Sequence, residues 1–275
     1  MQNMAATRAA LRTLLARQPP AERRATAGRA TAGRDLFRTG LEAMDELAPH
    51  GALRCGAIHE LLFDCGGKAF RCGGEAYPSM VSPPRSLALI LARAAQAARG
   101  GAIVWSDPRR QLHPTAVSAA GIDLRRMILL RPRNAAQEIS ALTECLRCKG
   151  VSATVTHLDR LSDIEARRLQ LAAENGGGVG IFLRPRSAGS SGNYAAATRW
   201  LVRPAAEGFA SAAEGDNWQS WIVELLHGHG GRLGSSVLLE VDRETGDWRA
   251  SPPSLRASAP LADRPAAATQ TRATA

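Results

Sequence analysis

An α/β fold is predicted for this chain: a three-layer core on a mostly parallel sheet, extended by antiparallel strands at its C-terminal side. Two observations carry the prediction. Between residues 57 and 183, short apolar runs of strand length alternate with amphipathic stretches of helical period, at the interval of strand–helix–strand crossovers. After Arg184 the helical signals stop, and three strand-like runs follow, separated by Gly-rich turns that suit antiparallel pairing. The 275 residues are enough for one medium domain with tails that needs no disulfides. With 45% hydrophobic and 22% charged residues, most of the chain belongs to the globular class.

The elements follow in order. Ala57 to Phe63 is an apolar run of strand length. Residues 66–84 are rich in Gly, Pro and Ser without a period, and read as a loop. Arg85 to Arg99 is a helix, with Leu87, Ile90, Leu91 and Ala94 on one face. Ile103 to Trp105 is a strand, His113 to Ala120 a helix, and Met127 to Leu130 a strand. Ala135 to Lys149 is a helix, Val151 to Leu158 a strand, Ser162 to Asn175 a helix, and Val179 to Leu183 a buried strand. Ala197 to Arg203, Trp218 to Leu226 and Val237 to Asp242 are the later strands, turning at Gly228-His-Gly-Gly-Arg232.

Charge divides the chain differently. Residues 1–34 hold seven Arg and one Glu, and residues 249–275 hold four Arg and one Asp. The body, 35–248, is therefore nearly neutral although the whole chain carries +10. The first 34 residues contain a near-repeat from Arg24 to Arg34 and read as a disordered basic arm; 249–275, rich in Pro, Ala and Thr, read as a disordered tail. Basic tails can hold a protein near nucleic acid. A GC-rich coding bias accounts equally for 33 Arg against two Lys. No apolar run is long enough to span a bilayer, and the N-terminus has no apolar signal core, so a cytoplasmic location without membrane contact is expected.

Five cysteines fit a reducing compartment. Cys145 and Cys148 have CxxC spacing, and a zinc site would need Cys65 and Cys72 to converge on them. The pair falls at the end of a helical pattern, where two buried free thiols are expected instead, and no metal is assigned. No serine or cysteine hydrolase triad and no zinc-protease motif occurs. His227 and His229 flank a turn glycine. Trp200, Trp218, Trp221 and Trp248 gather in the last third, either as partner anchors or as rings buried under the sheet.

Several segments carry a family resemblance. Gly40-Leu-Glu-Ala-Met-Asp45 and Gly56-Ala-Ile-His-Glu-Leu-Leu62 resemble the approach to the first core strand of RecA-type ATPases, and Ala120 to Leu130 resembles the stretch after their second helix. Arg167 to Ala173, Ala195 to Trp200 and Trp221 to Leu226 followed by Gly230-Gly-Arg232 are similar to the ImuA-like proteins of bacterial mutagenesis cassettes, a branch related to SulA. The resemblance spans about residues 35–242. It implies a RecA-like fold and an accessory role in SOS-induced, error-prone translesion DNA synthesis. The partners it implies are a catalytically inactive Y-family polymerase relative and an error-prone replicative-type polymerase, with RecA as a further one.

A working P-loop, G-x-x-x-x-G-K-[ST], needs backbone amides, a lysine and a hydroxyl at a helix start. Gly67-Lys68 offers the Gly-Lys pair, but Leu62 stands at the first glycine position and Ala69 at the hydroxyl position. The helix itself begins at Arg85-Ser86 behind Pro83 and Pro84, neither of which can donate an N–H. Asp107 is the nearest carboxylate to the position of the catalytic glutamate, and Asp159 or His157 stands near that of the magnesium-ordering aspartate. Gly67, Lys68, Arg85, Ser86 and Asp159 are thus the candidates for a degenerate nucleotide site, with no cofactor and no catalysis expected.

Arg109, Arg110, Arg184 and Arg186, beyond strand ends, are candidates for weak nucleic-acid contact, as are the pairs Arg125-Arg126 and Arg131/Arg133. A solvated helix end explains each pair as well. Scaffolding by protein–protein contact is the function expected; an ATP-binding, DNA-stimulated regulator and a SulA-like inhibitor of cell division are the alternatives.

Overall fold

A computed structural model describes residues 36–64, 70–72, 75–77, 83–186, 195–205, 218–242 and 248–251. The whole predicted arm, most of the tail, and much of the 66–84 loop, including Gly67 and Lys68, lie outside the described residues.

The described part begins with β1 (Leu36–Phe37), which pairs antiparallel with β2 (Leu53–Arg54) around a short helix, α1 (Glu42–Leu47). None of these three was expected. Buried Asp45 fixes the entry of α1 by accepting from the Thr39 backbone N–H at 2.8 Å. Next come β3 (Ile58–Phe63) and, within the region read as a loop, the antiparallel pair β4 (Phe70–Cys72) and β5 (Glu75–Tyr77). Then follow α2 (Arg85–Arg99), β6 (Ala102–Ser106), α3 (Pro114–Ala119), β7 (Met127–Leu130), α4 (Ala135–Arg147), β8 (Val151–His157), α5 (Asp163–Gly176) and β9 (Val179–Pro185). The chain ends in β10 (Thr198–Pro204), β11 (Trp218–Gly228), β12 (Ser236–Asp242) and β13 (Trp248–Ser251).

Nine strands form the main sheet, in the order β13-β12-β11-β10-β3-β9-β8-β6-β7. All neighbours from β10 to β7 are parallel, and those from β10 to β13 antiparallel. This corrects two expectations. The 198–204 strand was assigned to the antiparallel extension, yet it runs parallel to β3, with Thr198 opposite His59. Residues 249–251 were assigned to the tail, yet they pair with β12, Ser251 opposite Leu238. A short strand on a sheet edge draws its stability from its neighbour's backbone, which composition does not reveal.

Helices α1, α2 and α3 cover one face of the sheet, and α4 and α5 the other, which gives three layers. In α2, Leu87, Ala88, Leu91, Ala92 and Ala95 recur at helical spacing and are buried in the larger core with Leu61, Phe63, Ile181 and Trp200. On the opposite face Leu142 and Leu146 of α4 meet Leu169, Ala172 and Ala173 of α5 over Ile58 and Phe182. These two helices approach closely at Gly176, where a Cβ would stand 1.9 Å from the Leu146 carbonyl oxygen, so only glycine fits.

Helix α5 has sharp sequence-encoded ends. Ser162 and Glu165 form a reciprocal capping box, the Ser162 hydroxyl accepting from the Glu165 N–H at 3.3 Å and the Glu165 carboxylate from the Ser162 N–H at 3.0 Å. Those bonds from Ser162 hold the Glu165 carboxyl below the usual range. Gly177, with φ of 74°, ends the helix in the left-handed region. Replacing Ser162 with alanine should cost about 1 kcal/mol in urea unfolding, with the slope of the transition unchanged.

Candidate functional site

Parallel strands place their C-terminal ends, and the loops that follow, on one edge. After β6 the chain turns to the face carrying α2 and α3; after β8 it turns to the face carrying α4 and α5. Such a divergence opens a crevice where α/β proteins bind ligands. A cleft of about 360 Å³ lies there, lined by Ser106–Arg109, His157–Arg160, Glu138 and Arg85 among others.

Its carboxylates are engaged. Asp107 is 6% exposed, and its two oxygens accept from the backbone N–H groups of Gln111 at 2.8 Å and Leu112 at 3.1 Å. It shapes its own loop. The same loop holds Arg110 at φ of 54° and closes a turn through the Arg110 N–H to the Asp107 carbonyl. Glu138, in the first turn of α4, is buried and accepts from the Ser106 hydroxyl at 2.6 Å and the Thr156 hydroxyl at 2.8 Å. Asp159 pairs with Arg109 at 2.7 Å, and both side chains are more than half exposed, so the pair contributes little to stability. Asp159 does not cap α5; Ser162 does.

The cations are arranged around these acids. Arg85 is half-buried and donates to the Gln111 side-chain oxygen. Burial lowers its pKa, against the attraction of Asp107. His157 packs edge-on against Phe63, with ring centroids 5.5 Å apart. Its Nε2 lies 3.2 Å from an Asp159 oxygen but is not aligned for a hydrogen bond. Burial lowers the His157 pKa, with Arg109 and Arg85 adding to the effect and Asp159 and Glu138 opposing it. The imidazole is therefore neutral at pH 7.

The start of α2 has few amides to offer an anion. Pro83 and Pro84 have none, and the Arg85 N–H donates to the Pro83 carbonyl at 2.7 Å. Ser86 is exposed in the first turn. Arg85 and Asp159 both border the cleft, whereas Gly67 and Lys68 lie outside the described residues.

The arginines expected beyond strand ends fall at two edges of the sheet. Arg109, Arg110, Arg131, Arg133 and Arg186 are exposed at the C-terminal edge of the sheet. Arg125 and Arg126 precede β7 and lie at the opposite edge; Arg126 donates to the Gly101 carbonyl at 3.1 Å. Arg184 is corrected too. Its guanidinium is committed to Glu60 at 2.8 Å, with its side chain only 12% exposed, because Glu60 is buried in the neighbouring strand and needs a counter-charge. Arg199, from the other neighbouring strand, completes an Arg–Glu–Arg bridge at 2.8 Å.

Glu138 and Gln111 went unnoticed in the sequence. A glutamate in a helix's first turn reads as ordinary dipole pairing, and its burial depends on hydroxyls 32 and 18 residues away. Glu60 had a visible signal, a carboxylate inside an apolar strand. Among the described residues no cluster of three metal-ligating side chains occurs; Cys145 is buried and its thiol pushed up to about 12 by burial, while Cys148 is half-buried. No described helix is long and apolar enough to cross a membrane.

Fold and crevice together define a RecA-like α/β protein. The crystal structure of the RadB recombinase superposes with a TM-score of 0.54, covering 76% of this chain and 96% of that one, at 11% identity, which shows the fold alone. ImuA of Caulobacter vibrioides strain NA1000 is 30% identical over 210 residues, 72% of this chain and 81% of its own. The chain belongs to the ImuA family. The family profile described as cell division inhibitor SulA matches residues 79–180, and SulA of Cronobacter sakazakii is 30% identical over 83 residues, 30% of this chain and 49% of its own.

Proposed function

We propose that this protein is a non-catalytic accessory factor of damage-induced, error-prone translesion DNA synthesis, acting through protein–protein contacts in a multi-polymerase assembly. Membership of the ImuA family is the observation that carries this reading. The crevice supports its non-catalytic part. Arg85 occupies the helix start where a P-loop protein places lysine, two prolines remove amides before it, and the acids of the described lining are bound to backbone, hydroxyl or arginine partners. The partners are an inactive Y-family polymerase relative, an error-prone replicative-type polymerase, and RecA. The exposed arginines of the rim supply at most a weak, salt-sensitive contact to nucleic acid.

A clean deletion is expected to lower ultraviolet-induced mutation frequency to the uninduced level. The wild-type gene should restore it, and so should the Lys68→Ala variant. Failure of that variant, with wild-type protein levels, would instead favour nucleotide binding; an unchanged frequency in the deletion would overturn the role itself. The SulA match over residues 79–180 favours one second reading, inhibition of cell division, for which filamentation on overexpression is the sign.

A further inference from the structure

Beside the crevice, on the other side of Arg85, lies a separate groove of about 270 Å³. Its walls are the start of α2, the 111–116 segment with α3, and the inner face of β10, β11, β12 and β13. The floor is apolar: Leu89, Val202, Val223 and Leu239, all buried, belong to the larger core. Trp221 and Trp248 stand at its side, packed on that core and only partly buried.

Three features say what fits there. First, the volume suits one or two large side chains, not a folded domain. Second, Trp221 and Trp248 are only partly covered by the core, leaving apolar ring surface that an anchor side chain would bury. Third, the charge is one-sided: Arg85 and His113 are the ionisable lining residues, and no carboxylate occurs among the described ones. Exposed Arg110, in the adjoining loop, adds positive charge.

We infer that this groove is the docking site for an extended peptide segment of a partner protein. The segment carries an aromatic or leucine anchor and, beside it, an aspartate or glutamate that faces Arg85. Tryptophan-walled pockets of this kind concentrate binding energy in one anchor, and the flanking charge sets orientation. The inference rests on the scaffold reading and gives it a surface.

The test uses the full chain and a displayed library of random heptapeptides. Selected peptides should share an aromatic or leucine next to an acidic residue. Their affinity, read by fluorescence polarisation, should fall at least about thirtyfold for Ala116→Trp, which fills the groove from an exposed position. Trp221→Phe, which removes part of the ring surface the anchor packs on, should lose a few-fold. Arg85→Gln should lose a few-fold and flatten the salt dependence. Unchanged thermal melts show that the fold survives each change. Selection of nothing, or of peptides indifferent to Ala116→Trp, would overturn the inference; so would a wild-type dimer that Ala116→Trp converts to monomer, since the occupant is then a second copy. Ala116→Trp should also fail to restore mutagenesis in the deletion strain. Full restoration sinks the groove but leaves the scaffold role standing, whereas a deletion without phenotype sinks the role itself.

Discussion

Replacing Glu60 with alanine is expected to destabilise the protein by about 3–5 kcal/mol, the usual effect of breaking a buried ion pair from one side. Glu60 is 1% exposed and lies between Arg184 and Arg199, whose side chains are 12% and 14% exposed. Its removal leaves two guanidinium groups facing each other in a poorly hydrated site, across β9, β3 and β10. Replacing all three, Glu60→Leu with Arg184→Met and Arg199→Met, should recover most of the loss, because the desolvation cost disappears with the charges. Urea denaturation of the single and triple variants decides this. A single variant within 1 kcal/mol of wild type would show that water reaches the bridge freely.

Acid should weaken the fold through His59. This side chain is fully buried, with its pKa lowered to about 4, chiefly by desolvation. Its tautomer is set by its partners: Nε2–H donates to the Arg54 carbonyl at 2.9 Å, so Nδ1 accepts from the Thr198 hydroxyl at 2.7 Å. That hydroxyl oxygen in turn accepts from the Trp200 indole N–H at 2.8 Å. The network ties β3 to β10 and accommodates no additional proton. In the unfolded chain the imidazole is protonated near pH 6.5; in the folded one only near about 4. Between those values the unfolded state binds more protons, so stability is full above pH 6.5 and is lost as pH falls toward 4. The loss should total roughly 3 kcal/mol. His157, also lowered by burial, contributes in the same direction. Unfolding free energies of wild type and His59→Gln at pH 7.5 and 4.5 separate the two: the variant should show a clearly shallower loss, and equal losses would contradict a buried neutral His59.

Legibility followed the range of the interactions. Helix α2 was predicted with both ends correct, because its apolar stripe and the prolines before it are local signals. The ends of α5 were nearly as clear, since the Ser162–Glu165 box and Gly177 lie within the segment they bound. The short strands β1, β2 and β13 were missed, having no period long enough to count. Arg184 looked like a free rim cation because nothing beside it in the chain shows that Glu60, 124 residues away, holds it. Asp107 was the carboxylate nearest the catalytic-glutamate position, and its commitment to its own loop was hidden in the sequence. Its carboxylate faces the amides of its own loop, a matter of loop geometry that residue type does not specify.

The sequence by itself determined the alternation of strands and helices and the likeness to RecA-like and ImuA-like proteins. Tertiary structure alone decided which strands are parallel, and with that which loops share an edge. It alone decided that Glu138 is buried between two hydroxyls, that Glu60 joins three strands, and that an apolar groove opens beside Trp221. The physical reason is one of distance. Periodicity and turn chemistry act within a few residues, whereas burial, charge pairing and cavities are properties of segments that meet only after the sheet has closed.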